Sequence, residues 1–263
     1  MNYFESEQAA ERYSRGRPYY HPLTIRKIRE FLGPDYKFHK ILDVACGTGL
    51  STKALLELGG EIWAMDSSPE MLKRAYPSDK IHYLEGIAES IPIENQSMDL
   101  ITVGSGIHWF NIEKFLSESH RILKNHGFLI LYENYFLSEM NENPLFKNWI
   151  SHRYKTRFPS PPRNTRYDYS NDNLNPQGFR FIEQLEYKNS IPFNLADLVL
   201  YLTTQSNIIG SIERGDIDLK DAEIWLEKEL LPYFKNIQKP ETFYFGNWIK
   251  FLKKIPENPK YEL

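Results

Sequence analysis

With 263 residues, the chain can bury a substantial core, and one α/β domain with a smaller appended cap accounts for that length better than two independent domains. Its 32 Lys and Arg against 35 Asp and Glu give a formal charge of -3, spread along the sequence, which leaves no electrostatic footprint for a nucleic-acid backbone or an anionic membrane. Cys46 is the one cysteine, so an intrachain disulfide and a cysteine-built zinc cluster are excluded and a reducing cytoplasm suits the chain.

The first residues, MNYFESEQAAERY, carry neither a basic leader nor an apolar run, and no later stretch approaches the ~20 apolar residues that span a bilayer. After the polar RYSRGRPYYHP, the segment LTIRKIREFL places Leu23, Ile25, Ile28, Phe31 and Leu32 at helical spacing, and Gly33-Pro34 stops it. KILDV then runs as a strand into ACGTGL, followed by the helical STKALLELG. EIWAMD and SSPEMLKRAY repeat the strand–helix alternation, IHYLEG adds a third strand, and SMDLITVGSG a fourth before the helix NIEKFLSESHRIL. FLILYENY is a fifth buried strand. Five strands alternating with helices predict a mainly parallel sheet.

The rhythm changes after Tyr135. SPPRNTRYDYSNDNLNP reads as a lid or crossover, FRFIEQLEYKNSIPF returns to an extended pattern, and LADLVLYLTTQSNIIGSI and DLKDAEIWLEKELLPYF read as cap helices, with Trp225 and Leu226 docking the second of them. Residues 136–170 and 195–236 are therefore expected to form cap segments within a single domain covering 1–263. The aromatic surplus, 17 Tyr, 16 Phe and 5 Trp, has two readings: a pocket lining, or packing of small helices.

Chemistry enters at the glycine loop. Gly47 and Gly49 occupy the first strand-to-helix turn, where missing side chains permit tight bending and close approach of a cofactor. The nicotinamide pattern G-x-G-x-x-G fails, because Thr52 stands at its third glycine. Asp43 also sets a carboxylate where a pyrophosphate would come, whereas the ammonium and sulfonium of S-adenosylmethionine suit it. Asp66 ends the second strand, where a carboxylate can accept from ribose hydroxyls, and the Ala88 backbone with the Glu89 side chain follows the third at the height of an adenine edge. Each acid has a plainer reading, as loop cap, helix N-cap and solvated acid in turn. Their ordered placement at three strand ends favours the cofactor.

ILDVACGTG, IWAMDSSPEML and EGIAESIPIENQSMDLITVGSGIHWF resemble the class I S-adenosylmethionine-dependent methyltransferases, especially the small-molecule branch that includes trans-aconitate methyltransferases. The resemblance covers residues 1–135. It implies a Rossmann-like seven-stranded sheet with helices on both faces, an antiparallel last strand and a helical cap. It also implies a cofactor held by Asp43, Gly47, Gly49, Asp66, Ala88 and Glu89. YSRGRPYYHP looks like the segment that folds over the cofactor in that branch, which assigns the role to Tyr13, Arg17 and Tyr20. DLVLYLTTQSNIIG looks like its cap helix, with Thr204 and Ser206 near the acceptor. Ile87 stands where many members carry an aspartate, which leaves adenine recognition to Glu89 or backbone groups. Cys46 reads as a packed side chain rather than a nucleophile.

Methyl transfer needs the acceptor lone pair aligned with the methyl carbon and the departing sulfur, so positioning and water exclusion can carry much of it. No metal is required, and no H-x-x-x-H pair or compact acid–histidine cluster stands in the sequence. GSGIHWF follows the fourth strand at the edge where open α/β sheets bind ligands, so His108 and Trp109 are the expected catalytic pair. His108 has three readings: structural hydrogen bond, acceptor orienter, or general base. Trp109 and Phe110 either pack beneath the cap or form the acceptor wall. Arg153, Arg157, Arg163 and Arg166 either grip an acidic acceptor or form a solvated basic loop. The expected partner is a small-molecule methyl acceptor, a carboxylic acid if those arginines converge. Competing classes are a non-catalytic binding module, a nicotinamide oxidoreductase and a peptide methyltransferase.

Overall fold

The computed structural model describes residues 4, 6–162 and 166–256. In chain order the first half contains α1 (Glu7–Gly16), α2 (His21–Leu32), β1 (Lys40–Val44), α3 (Leu50–Leu55), β2 (Glu61–Asp66), α4 (Pro69–Leu72), β3 (Ile81–Glu85), β4 (Met98–Gly104) and α5 (Ile112–Ile122). There follow β5 (Leu123–Met140), α6 (Leu145–Trp149), a π-turn at Ile150–Tyr154, α7 (Lys155–Arg157) and α8 (Asn171–Leu174). Then come β6 (Phe179–Phe193), α9 (Leu195–Thr203), α10 (Ser206–Glu213), α11 (Leu219–Leu230) and β7 (Glu241–Lys254). The chain groups into two compact units. The sheet unit comprises Tyr19–Glu133, Arg163–Glu186 and Trp248–Leu263, and the helix-rich unit comprises Met1–Pro18, Asn134–Pro162 and Tyr187–Asn247.

The strands form one seven-stranded sheet in the order β3-β2-β1-β4-β5-β7-β6. β1 pairs in parallel with β2 and with β4, β2 with β3, and β4 with β5. The chain leaves β1 toward β2 on one side and returns to β4 on the other. This makes the β1/β4 edge the switch point at which open α/β sheets hold ligands. In the sheet unit Leu42 and Val44, Ile101 and Val103, and Leu129 and Leu131 recur at period two on one face and pack with Phe115, Leu116 and Ile122 of α5. Lys254, buried at the end of β7, donates Nζ to the carbonyls of His120 (2.8 Å) and Leu123 (2.9 Å). A cation there satisfies orphan carbonyls and meets the negative end of the α5 dipole.

The helix-rich unit has its own core, in which Phe146, Tyr154, Phe158, Phe193, Phe243 and Phe245 are buried together. Trp149 and Trp225 stack at 6.1 Å, and Phe146 meets Phe243 edge-on at 5.2 Å. Here aromatic residues pack small helices.

Two local departures from the sequence reading have physical causes. Residues 7–16, to which the sequence assigned no helix, form α1: Ser6 Oγ accepts the Ala9 N–H, and Ala9, Ala10, Arg12 and Gly16 are buried. Gly16 approaches Leu200 and Thr204 so closely that a Cβ would lie 2.7 Å from the Thr204 methyl. The second departure is that SSPEMLKRAY yields only the short α4. The Tyr76 amide donates to the Thr48 carbonyl (3.2 Å) instead of continuing the helix. Among the described residues no helix is long and apolar enough to cross a membrane.

Candidate active site

β1 ends in a left-handed turn, with φ of 57° at Ala45, 57° at Gly47 and 74° at Gly49. At Gly49 a Cβ would meet Tyr83 Oη at 2.6 Å and the Tyr76 amide nitrogen at 3.0 Å, so both dihedral and space require glycine. The turn is fixed from the neighbouring strand: the Cys46 N–H donates to the Met65 carbonyl (3.0 Å), and the Gly47 N–H donates to Asp66 Oδ2 (2.8 Å). Asp66 Oδ1 accepts the Ser68 N–H (2.9 Å), so one carboxylate ties the glycine turn to the start of α4. Burial raises the Asp66 pKa despite backbone donation from Ser68, Gly47 and Ser67.

Asp43 lies at full burial, opposite Thr102 in the β1/β4 register. Its Oδ2 accepts the hydroxyls of Ser51 (2.6 Å) and Thr52 (2.7 Å), and its Oδ1 that of Thr102 (2.9 Å). Burial pushes its pKa up to about 6, against the pull of the three hydroxyls and with a further push from Asp66. The bonds the carboxylate makes are therefore internal, stitching β1 to α3 and β4. Burial, reinforced by Asp43 and Asp66, holds the Cys46 thiol well above its ordinary pKa, which opposes thiolate chemistry.

An adenosyl cofactor fits these residues. The turn is free of bulky side chains at Gly47 and Gly49, and Thr48 Oγ1 is buried without a hydrogen-bond partner, a group that a ligand's polar atom can satisfy. Asp66 retains unfilled acceptor capacity at its strand end. Ala88 is buried, Ile87 is 53% exposed, and Glu89 Oε1 accepts the Asn111 N–H at 2.7 Å, which anchors the entry to α5.

At the end of β4, Ser105 has φ 59°, and its amide donates to the Tyr132 carbonyl (2.9 Å). Its hydroxyl lies 3.1 Å from Tyr20 Oη. A Cβ on Gly106 would sit 2.8 Å from the Ala45 methyl, so the two turns at the switch point touch through a glycine. The next turn carries His108, 9% exposed, with Nδ1 3.4 Å from Glu133 Oε2 of β5. Trp109 is 38% exposed beside it, ring to ring at 4.7 Å, whereas Phe110 packs on Phe115 at 5.1 Å. His21, buried and stacked on Tyr20 at 4.1 Å, faces Tyr132 Oη at 3.2 Å, and burial lowers its pKa to about 3. Glu133, Ser105 and His21 escaped the sequence reading. Only Glu133 left a signal there, as the first acid after the apolar FLILY.

In the helix-rich unit, the Arg17 guanidinium lies over the Tyr13 ring at 4.7 Å and donates Nη2 to the Thr204 carbonyl at 2.9 Å. Three sequence-predicted residues thus come together, and Ser206 is buried at the following helix start. Tyr20 belongs to the sheet unit. The three arginines of this set that are described stand in different settings. Arg153 is ion-paired with Glu229 (2.6 Å), Arg157 stacks on Trp225 at 5.0 Å, Arg166 is exposed in the sheet unit, and Arg163 lies outside the described residues. Among the described residues no group of three or more His, Cys, Asp and Glu could hold a metal ion.

Residues 42–131 match the family profile of a methyltransferase domain. The chain is 29% identical over 204 residues to a demethylmenaquinone methyltransferase of Chlorobaculum parvum, covering 71% of this chain and 82% of that one. It is 26% identical over 190 residues to a candidate methyltransferase of Dictyostelium discoideum, covering 70% and 71%. A solved candidate type II methyltransferase of Anaeromyxobacter dehalogenans shares the fold, with TM-score 0.72, 19% identity and coverage of 92% and 99%. The matched domain, its glycine turn and these relatives support a class I S-adenosylmethionine-dependent methyltransferase.

Proposed function

We propose that this methyltransferase acts on a small molecule, a carboxylic acid as in the trans-aconitate branch it resembles, and that catalysis rests mainly on positioning. The observation that carries the reading is the approach of His108 Nδ1 to Glu133 Oε2 beside the exposed Trp109 indole, on the β4 edge next to the glycine turn. S-adenosylmethionine supplies an electrophilic methyl group. Gly47, Gly49, Asp66, Ala88 and Glu89 hold the cofactor in this reading, and Asp43 acts on it indirectly by fixing the turn. Glu133 orients the His108 ring through Nδ1, which leaves Nε2 of the neutral ring to receive a proton from a hydroxyl acceptor. A carboxylate acceptor is already ionised near neutrality and uses His108 for alignment alone. Trp109 offers an apolar wall that excludes water from the acceptor.

The experiment is to incubate the purified protein with methyl-labelled S-adenosylmethionine and a cell metabolite extract and to identify labelled products by mass spectrometry. A labelled small acid supports the proposal. Label found only in protein or peptide, or none despite saturable cofactor binding, overturns it.

A further inference from the structure

We infer that the helix-rich unit contains an oxyanion site built on Arg12 and Gln205, which takes a carboxylate or phosphate group of a small-molecule ligand. Arg12 is 7% exposed, and its Nε, Nη1 and Nη2 are all buried without a hydrogen-bond partner. Among the described residues no ion pair joins it. An unpartnered guanidinium in that setting is costly, because desolvation is not offset by any acceptor. Burial accordingly pulls its pKa down, with Glu213, Glu223 and Glu11 opposing from a distance without bonding to it.

The position of Arg12 follows from the helix pair around it. Ser6, capping α1, donates its hydroxyl to Glu213 at the end of α10 (2.7 Å), and Gly16, closing α1, abuts Thr204 just before α10. α1 therefore runs antiparallel to α10. Arg12 shares a face with Ala9 and Gly16, three residues from one and four from the other, on a helix that packs chiefly against α9, and so lies between the two tethers that reach Thr204 and Glu213. That stretch is polar yet buried: Thr204, Ser206, Asn207 and Ser211 are all nearly inaccessible.

Donors and acceptors do not balance there. Thr204 Oγ1 donates to the Tyr201 carbonyl (2.6 Å), Ser211 Oγ to the Asn207 carbonyl (3.1 Å) and Asn207 Nδ2 to the Phe158 carbonyl (2.9 Å). Asn207 Oδ1 takes the Tyr154 hydroxyl (3.3 Å). Gln205 precedes α10 without capping it, and its Nε2 is buried with no acceptor. Arg12 and Gln205 thus both leave nitrogen donors unmet, one of them a planar five-donor fork. A two-oxygen anion supplies the acceptors and the charge, and the fork matches it in a bidentate geometry that neither water nor a neutral amide reproduces.

This site rests on the small-molecule reading given above, but its test needs no methyl transfer, so the two fail separately. Malonate and inorganic phosphate serve as probes in thermal-shift titrations of the full-length protein at matched ionic strength in sodium chloride, with S-adenosylhomocysteine titrated in parallel. The wild type is expected to show a saturable rise in melting temperature with one of the two anions, and the stronger one identifies the ligand's group. Arg12→Met is expected to weaken that response about tenfold or more while keeping the S-adenosylhomocysteine response. Arg12→Lys, which keeps the charge without the fork, should fall between them and stands in if Arg12→Met does not fold. No saturable response in the wild type, or an undiminished response in both variants, overturns the site.

Discussion

The Asp66 carboxylate accepts the Gly47 amide at 2.8 Å, so the glycine turn after β1 is held by a side chain from the end of β2. Asp66→Ala is therefore expected to affect shape and affinity together. Loss of two bonds to a charged acceptor, to Gly47 and Ser68, should lower stability by about 1–3 kcal/mol and weaken S-adenosylhomocysteine binding about tenfold or more. Calorimetry with circular dichroism reads both. Full affinity in a folded variant removes Asp66 from cofactor binding.

His108 and Glu133 are expected to act as a pair on turnover. With a hydroxyl acceptor, His108→Ala should lower kcat about a hundredfold or more, and Glu133→Gln less, with cofactor affinity unchanged in both. With a carboxylate acceptor the loss should be smaller and fall chiefly on KM. Normal kcat/KM in His108→Ala on the identified acceptor would exclude proton transfer and alignment by this ring alike.

Stability should depend on pH through two buried groups of opposite sign. Asp43 titrates at about 6 in the fold against 3.8 ordinarily, so the folded chain holds a proton that the unfolded chain has lost. Its contribution is present below pH 3.8 and declines as pH rises through 6. His21, lowered from 6.5 to about 3, contributes above pH 6.5 and declines as pH falls. Between about pH 4 and 6 the slopes oppose, each at most about 1.4 kcal/mol per pH unit. Asp43→Asn removes one of them, so the variant should gain on the wild type by roughly 3 kcal/mol from about pH 4 to 7. Urea unfolding of the cofactor-free protein across that range measures the difference, and parallel stability curves would contradict the assignment.

Lys254→Met keeps most of the side-chain volume but leaves the His120 and Leu123 carbonyls without their donor. The expected cost is about 2–4 kcal/mol, read as a lowered urea midpoint with an unchanged slope. A variant as stable as the wild type would mean that water replaces the ammonium at the end of α5.

Arg153→Ala and Arg157→Ala should leave the acceptor KM within about twofold, since Glu229 and the Trp225 ring already occupy these groups. Steady-state kinetics on the identified acceptor decides, and a large rise in KM for either would return it to acceptor binding.

The sequence made legible what depends on periodicity and on turn chemistry. The alternation of KILDV, EIWAMD and SMDLITV with helices located β1, β2 and β4, and Gly47 and Gly49 located the turn. It did not reveal what each acid touches. Asp43 meets Thr102 across a strand pair 59 residues apart, a partnership set by sheet register that no local spacing encodes. His108 meets Glu133 from the turn after β4, a contact that local spacing likewise does not encode. α1 was hidden because its helix depends on burial against residues far along the chain, while its own composition is mostly polar.

The tethers of α1 also bear on the order in which the protein can fold. Ser6 reaches Glu213 and Arg17 reaches Thr204, sequence separations of 207 and 187 residues. Closing so long a loop is slow compared with local helix formation. A ten-residue helix is only marginally stable alone in water. During synthesis α1 emerges long before α9 and α10, while β1, β2 and β4 already find one another. The N-terminal helix is then among the last pieces to lock, and the Arg12 guanidinium stays hydrated until α9 and α10 have been made.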